Sequence, residues 1–120
     1  MSDDLADIRA ELLRLSSSKR TRLVRHTKEA PCRWNPYATI NPETSSPFTD
    51  ASAWDFVAEL LGSGHEIKRV PLRKPPGKFG YTMLVPGKSK SEDIYIKLQL
   101  GSGVVMGRSF HYSTQPDDDL

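Results

Sequence analysis

Apolar residues recur along this chain at two different periods, and the change of period divides it. Leu5, Ile8, Leu12 and Leu15 return every three or four positions, the spacing of one face of an α-helix. A helix is expected from Asp3 to about Leu15. Ser2 or Asp3 can cap its start, acids sit early and Arg14 late as the helix dipole prefers, and Ser16-Ser17-Ser18 ends it. Thr21 to about Thr27 fits either a second short helix or a continuation past a kink. A stronger stripe follows in Ala53, Trp54, Val57, Leu60 and Leu61, widened by Phe56. Thr49 or Asp50 is its N-cap and Gly62-Ser63-Gly64 its stop.

From Ile67 onward the period is two, the signature of strands. Ile67–Leu72 sets Ile67, Arg69 and Pro71 on one face and Lys68, Val70 and Leu72 on the other. Gly80–Pro86 is a second strand. Asp93–Leu100 is the clearest, with Ile94, Ile96, Leu98 and Leu100 alternating with Tyr95, Lys97 and Gln99. Val104–Tyr112 returns as the last. Arg73–Lys78 is a basic, proline-stiffened turn, Pro86-Gly87-Lys88 another, and Gly101-Ser102-Gly103 a tight hairpin loop. Between the two helical stripes, Pro31, Pro36, Pro42 and Pro47 rule out regular structure and indicate a long loop, with Trp34, Tyr37 and Ile40 docking parts of it. The expected fold class is α+β, N-terminal helices packed on a small, mostly antiparallel C-terminal sheet. Residues 1–47 form a helix and proline-rich arm, 48–112 the α+β core and 113–120 an acidic flexible tail.

A three-residue hairpin loop, Gly101 to Gly103, pairs Leu100 with Val104, Leu98 with Met106, Ile96 with Arg108 and Ile94 with Phe110. A register shift of one residue would exchange the two faces, and this choice collects nearly all the apolar residues on one of them. Arg108 is the misfit, expected at the edge of the core. The other face carries Tyr95, Lys97 and Gln99 beside Gly107, Ser109 and His111, turned to solvent.

Composition sharpens this picture. With 120 residues the chain suits one domain, and its 37% apolar content suits a compact core. A single cysteine, Cys32, makes no internal disulfide, which fits a reducing compartment such as the cytoplasm. No apolar run is long enough to span a membrane, and the acidic N-terminus is not expected to be a secretory leader. Net charge is only +2, but Glu66–His111 holds nine Lys/Arg against three Asp/Glu, and Lys19–Arg33 holds six Lys/Arg against Glu29. Such segregation gives the molecule a basic side suited to an anionic partner.

RNA can be cleaved without metal if one group takes the 2′-hydroxyl proton, another protonates the leaving 5′-oxygen, and cations hold the charge that builds on phosphorus. His111 is the natural acid or base because it titrates near neutrality. Tyr95 joins it in proton transfer, and Lys97 and Arg108 suit the phosphate. Lys74 and Lys78 can position a nucleic-acid backbone, and Tyr81, Tyr95 or Tyr112 can stack on a base or bond a phosphate. Each also has a plainer reading: strand histidines are more often packed than catalytic, and basic turns are most often solvated. His26 and His65 carry no pattern. No spacing of His and Cys suggests a metal site, and no glycine-rich phosphate loop or nucleophile elbow is present, so no metal or cofactor is expected.

Asp93-Ile94-Tyr95-Ile96-Lys97-Leu98, a short turn and then Gly107-Arg108-Ser109-Phe110-His111 resembles the final hairpin of the MqsR family of toxins. These are messenger-RNA interferases of bacterial toxin–antitoxin pairs with a RelE-like fold. Tyr95 and Lys97 match a Tyr-x-Lys element, and Ser109 and Phe110 match a following Ser-Phe-Lys. His111 stands where that family has a catalytic lysine. Tyr81 stands near the family's tryptophan, with Thr82 in place of the glutamine that follows it. The resemblance covers about a third of the chain. It implies a metal-independent endoribonuclease toxin acting on mRNA in the cytoplasm and held in check by an antitoxin protein. The alternative is a non-catalytic RNA- or DNA-binding module using the same basic face.

Overall fold

The computed structural model describes residues 4–115. Two helices, α1 (Asp4–Ser16) and α2 (Asp50–Gly62), pack on one face of a six-stranded sheet made of β1 (Arg22–Leu23), β2 (Arg33–Trp34), β3 (Lys68–Pro71), β4 (Phe79–Val85), β5 (Ile94–Leu100) and β6 (Val105–Tyr112). The fold class is α+β with a mostly antiparallel, open sheet. The expected caps of α1, Ser2 and Asp3, and the aspartates of the tail lie outside the described residues. No helix among the described residues is long and apolar enough to cross a membrane.

The strands run in the order β1-β6-β5-β4-β3, antiparallel from β3 through β6. β1 and β2 both lie parallel along the outer edge of β6, β1 beside Val105 and Met106 and β2 beside Ser109 and Phe110. The region from Thr21 to Thr27, open to a helical reading in sequence, is a 3-10 turn at Lys19–Thr21 followed by β1 and a loop. That loop is closed by the Cys32 N–H donating to His26 Nδ1 at 3.0 Å. Arg22 fixes the start of β1: its Nε donates to the Ser16 carbonyl at 2.8 Å and its Nη2 pairs with Asp55 of α2 at 3.2 Å.

The helices form where the stripes put them. Thr49 caps α2 through a reciprocal pair of bonds with Ser52, each satisfying a backbone N–H that the first turn leaves open. Leu12 and Leu15 of α1 and Ala53, Trp54, Val57 and Leu61 of α2 are buried with Met83, Val85, Ile94, Ile96, Leu98, Val105 and Phe110 from the sheet. Apolar burial of this kind is the main favourable term for a domain of this size. Trp34 joins the proline-rich segment to this core. Its ring stacks on Trp54 with centroids 4.8 Å apart and meets Phe110 edge-on at 5.3 Å. Leu12, Leu15 and Trp34 thus share one core with residues of 48–112.

Gly107 makes that stack possible. A Cβ there would lie 2.6 Å from Cε3 of Trp34, closer than carbon atoms can approach.

Candidate functional site

The working surface suggested by the sequence is the sheet face turned away from the helices, and the β5–β6 register decides what stands on it. The hairpin loop has four residues rather than three: Leu100 pairs with Val105, Gln99 with Met106 and Leu98 with Gly107. The Gly101 N–H bonds the Val104 carbonyl at 2.8 Å, and Gly103 takes a φ of +74°, which glycine alone adopts without strain. One extra loop residue would have turned the rest of β6 over. A β-bulge at Arg108 adds a second extra residue and restores the parity, so that Lys97 pairs with Ser109, Ile96 with Phe110, Tyr95 with His111 and Ile94 with Tyr112.

Arg108 is therefore not at the edge of the core. Its guanidinium lies on the helix-free face, where Nη1 donates to Gln99 Oε1, Nε to the Pro31 carbonyl at 3.0 Å and Nη2 to the Lys74 carbonyl at 2.6 Å. This position also falls between the stretches of β6 covered by β1 and β2, where the chain leaves the sheet edge as the loop 24–32. Arg108 ties that loop and the Arg73–Lys78 turn to the sheet. Its three bonds make it a bracing residue.

Tyr95 and His111 are cross-strand partners with ring centroids 5.5 Å apart. His111 Nδ1 lies 2.8 Å from the Tyr112 carbonyl. A carbonyl only accepts, so Nδ1 carries the hydrogen and the neutral ring keeps its lone pair on Nε2. Lys97 stands on the same face, with its stem over Gly80 and beside Leu72: a Cβ on Gly80 would lie 3.1 Å from Lys97 Cγ and Cδ and 2.9 Å from Leu72 Cδ2. The phenol, ammonium and imidazole are thus gathered on one face. They are not turned to solvent, however: Lys97 is 4% exposed and His111 2%. Tyr95 is half-buried. Arg108 holds the Pro31 and Lys74 carbonyls on this side, and sequence periodicity cannot show which distant loops will reach a sheet face.

The pairings extend this set into a row that the sequence reading missed. Lys68 pairs with Thr82, Thr82 with Lys97, Lys97 with Ser109 and Ser109 with Arg33. Paired residues share a face, so three cations alternate with two hydroxyls across five strands, a span of about 19 Å at ordinary strand spacing. The turn between β3 and β4 held the clue, because it fixes Lys68 opposite Thr82.

Two tyrosines leave the proposed set. Tyr81 pairs with Leu98, lies on the helix side and is 7% exposed, so it belongs to the core and does not stack on a base. Its parity with Met83 and Val85 was the available signal. Tyr112 pairs with Ile94 on that same side, and its hydroxyl accepts from the Ile40 N–H at 2.9 Å, holding the proline-rich segment. Lys74 and Lys78 are exposed on the turn, as a backbone-positioning role requires.

His65, without a pattern in sequence, also borders this face. Its Nε2 lies 3.0 Å from the Leu84 carbonyl at the rim of a groove of about 400 Å³. No protein-family model, curated protein or solved structure matches this chain.

Proposed function

We propose that this chain is a metal-independent endoribonuclease of the toxin class, acting on single-stranded mRNA at the helix-free face of its sheet. The observation that carries the reading is the Tyr95–His111 pair with Lys97 one row away on the same face. The hairpin likeness to the MqsR toxins adds to it, as does an α+β architecture of the general kind a RelE-like toxin would have.

In this reading the 2′-oxygen of a ribose attacks the adjacent phosphorus while Nε2 of His111 takes its proton. The bond from phosphorus to the 5′-oxygen breaks, leaving a 2′,3′-cyclic phosphate. Tyr95 is placed to return a proton to the departing 5′-oxygen, and Lys97 holds the charge on the phosphoryl oxygens. Lys74 and Lys78 guide the strand through its phosphates. Lys97 and His111 are buried, so substrate reaches them only if this face opens, and strand binding and opening are one event. The partner of such an enzyme in the cytoplasm is an antitoxin protein that keeps the face closed or occupied.

The test is cleavage of single-stranded RNA in the presence of a chelator. Wild type is expected to yield 2′,3′-cyclic phosphate and 5′-hydroxyl ends and to arrest growth when expressed. His111→Gln and Lys97→Met should each lose about 10²- to 10⁴-fold in rate while circular dichroism stays unchanged. Cleavage unaffected by either substitution would remove the active centre.

The burial of Lys97 and His111 favours a second reading, a module that binds RNA or DNA without cutting it, through the exposed cations Lys68, Lys74 and Lys78. It predicts salt-dependent binding, intact RNA and no effect of His111→Gln.

A further inference from the structure

The groove beside Tyr95 adjoins the catalytic set, shares that one residue with it and has a construction of its own. It is lined by Lys68 and Val70 of β3, Thr82 and Leu84 of β4 and Tyr95 of β5, together with His65 and Glu66. Its volume of about 400 Å³ falls in the range of small-molecule sites. Leu84 is 55% exposed, although Met83 and Val85 on either side of it are buried. An apolar side chain is thus presented near the end of β4, beyond the last pairing with β3, next to the half-buried ring of Tyr95 across the β4–β5 pairing. Lys68, paired with Thr82 in the cation–hydroxyl row, and the exposed Glu66 two residues before it both line the groove.

An apolar floor of Leu84 and Tyr95, a cation and an acceptor-only carboxylate lining one groove match the three parts of one unpaired nucleotide. The base lies on Leu84 and Tyr95, the phosphate meets Lys68, and the base edge meets Glu66. Both carboxylate oxygens accept, so the edge they favour is one with two adjacent donors. Guanine has that edge in N1–H and the N2 amino group, whereas adenine, uracil and cytosine do not present two adjacent donors. We propose that this groove is a nucleotide subsite of a bound single strand, selective for guanine, with Glu66 as the residue that sets the selection. The inference rests on nucleic acid being the ligand of this face, and it identifies where the strand is read.

The experiment uses the full chain and deoxyoligonucleotides, which lack the 2′-hydroxyl and cannot be cut, so binding is measured apart from cleavage. Short oligothymidine strands carrying one central dG or one central dA are titrated while backbone amide resonances are followed. The dG strand is expected to bind about tenfold more tightly and to shift the amides of Lys68, Thr82, Leu84 and Tyr95. Glu66→Gln should erase the preference with little change for the dA strand. Leu84→Asp should weaken both strands about tenfold. Both positions are exposed, so neither change threatens the fold. Equal binding of the two strands, a preference that survives Glu66→Gln, or shifts that avoid the groove would each overturn the proposal. If RNA is cleaved but these effects are missing, the subsite falls and the nuclease stands. If the effects are seen and RNA stays intact, the subsite stands and the nuclease falls.

Discussion

Arg108 donates through Nη1 to Oε1 of Gln99 across the β5–β6 hairpin, and this bond fastens the residue at which the register shifts. The bulge it occupies puts Ser109 and His111 on the side of Lys97 and Tyr95. The site and the brace are therefore one construction: without the extra residue, His111 would face the helices.

Replacing Arg108 with Met should destabilise the fold by about 3 kcal/mol, because it leaves an amide oxygen and two carbonyls without their donor beneath the surface. Arg108→Lys should recover only a fraction, since one ammonium cannot serve three acceptors arranged around a planar fork. Urea unfolding of the two variants measures both. A loss under 1 kcal/mol for Arg108→Met would mean that the three bonds add little.

Gly107→Ala tests the approach of β6 to the tryptophan stack. The added methyl would sit within the Trp34 ring, so Trp34 must leave Trp54 or β6 must move away. The expected cost is about 1–3 kcal/mol, the range for overpacking a core, with a change in tryptophan fluorescence. An unchanged emission spectrum at wild-type stability would show that the two rings have room to spare.

Tyr112→Phe separates support from recognition. The hydroxyl accepts from the Ile40 N–H, so its loss should cost about 1 kcal/mol and loosen the proline-rich segment, seen as faster amide exchange at Ile40. Affinity for single-stranded nucleic acid should stay at the wild-type value. A marked drop in affinity with exchange at Ile40 unaltered would return Tyr112 to the binding surface.

The parts of the fold that repeat were legible in the chain. Four or more apolar residues at a fixed period placed α1, α2 and β5, and shorter alternations bounded by Gly and Pro turns placed β3, β4 and β6, within a residue or two. The parity of the hairpin from Ser109 onward was legible as well, because only one assignment keeps Ile94, Ile96 and Phe110 together. Nearer the loop it was not: Gly107 pairs with Leu98 on the helix side and Met106 with Gln99, the reverse of the expectation. The mechanism was not legible either: a four-residue loop and a bulge compensate each other, and neither leaves a mark in a pattern of alternation. β1 and β2 have two residues each, too few to show any period, and their place beside β6 follows from tertiary docking of Trp34. Burial of Lys97 and His111 depends on which segments distant in sequence reach that face of the sheet. Tyr81 was a different case, since alternation with Met83 and Val85 already put it inside.

The arrangement of β6 also sets an order of events in the cell. Arg22 and Trp34 leave the ribosome long before Val105 and Phe110, the residues they pair with. Until then the two short parallel strands have nothing to bond, and the indole of Trp34 lacks Phe110 as a neighbour. Contacts between such distant positions slow folding, and the sheet can close only after β6 has been made. During that interval the nascent chain has no assembled Tyr95–His111 pair, so the cleavage we propose could not yet take place.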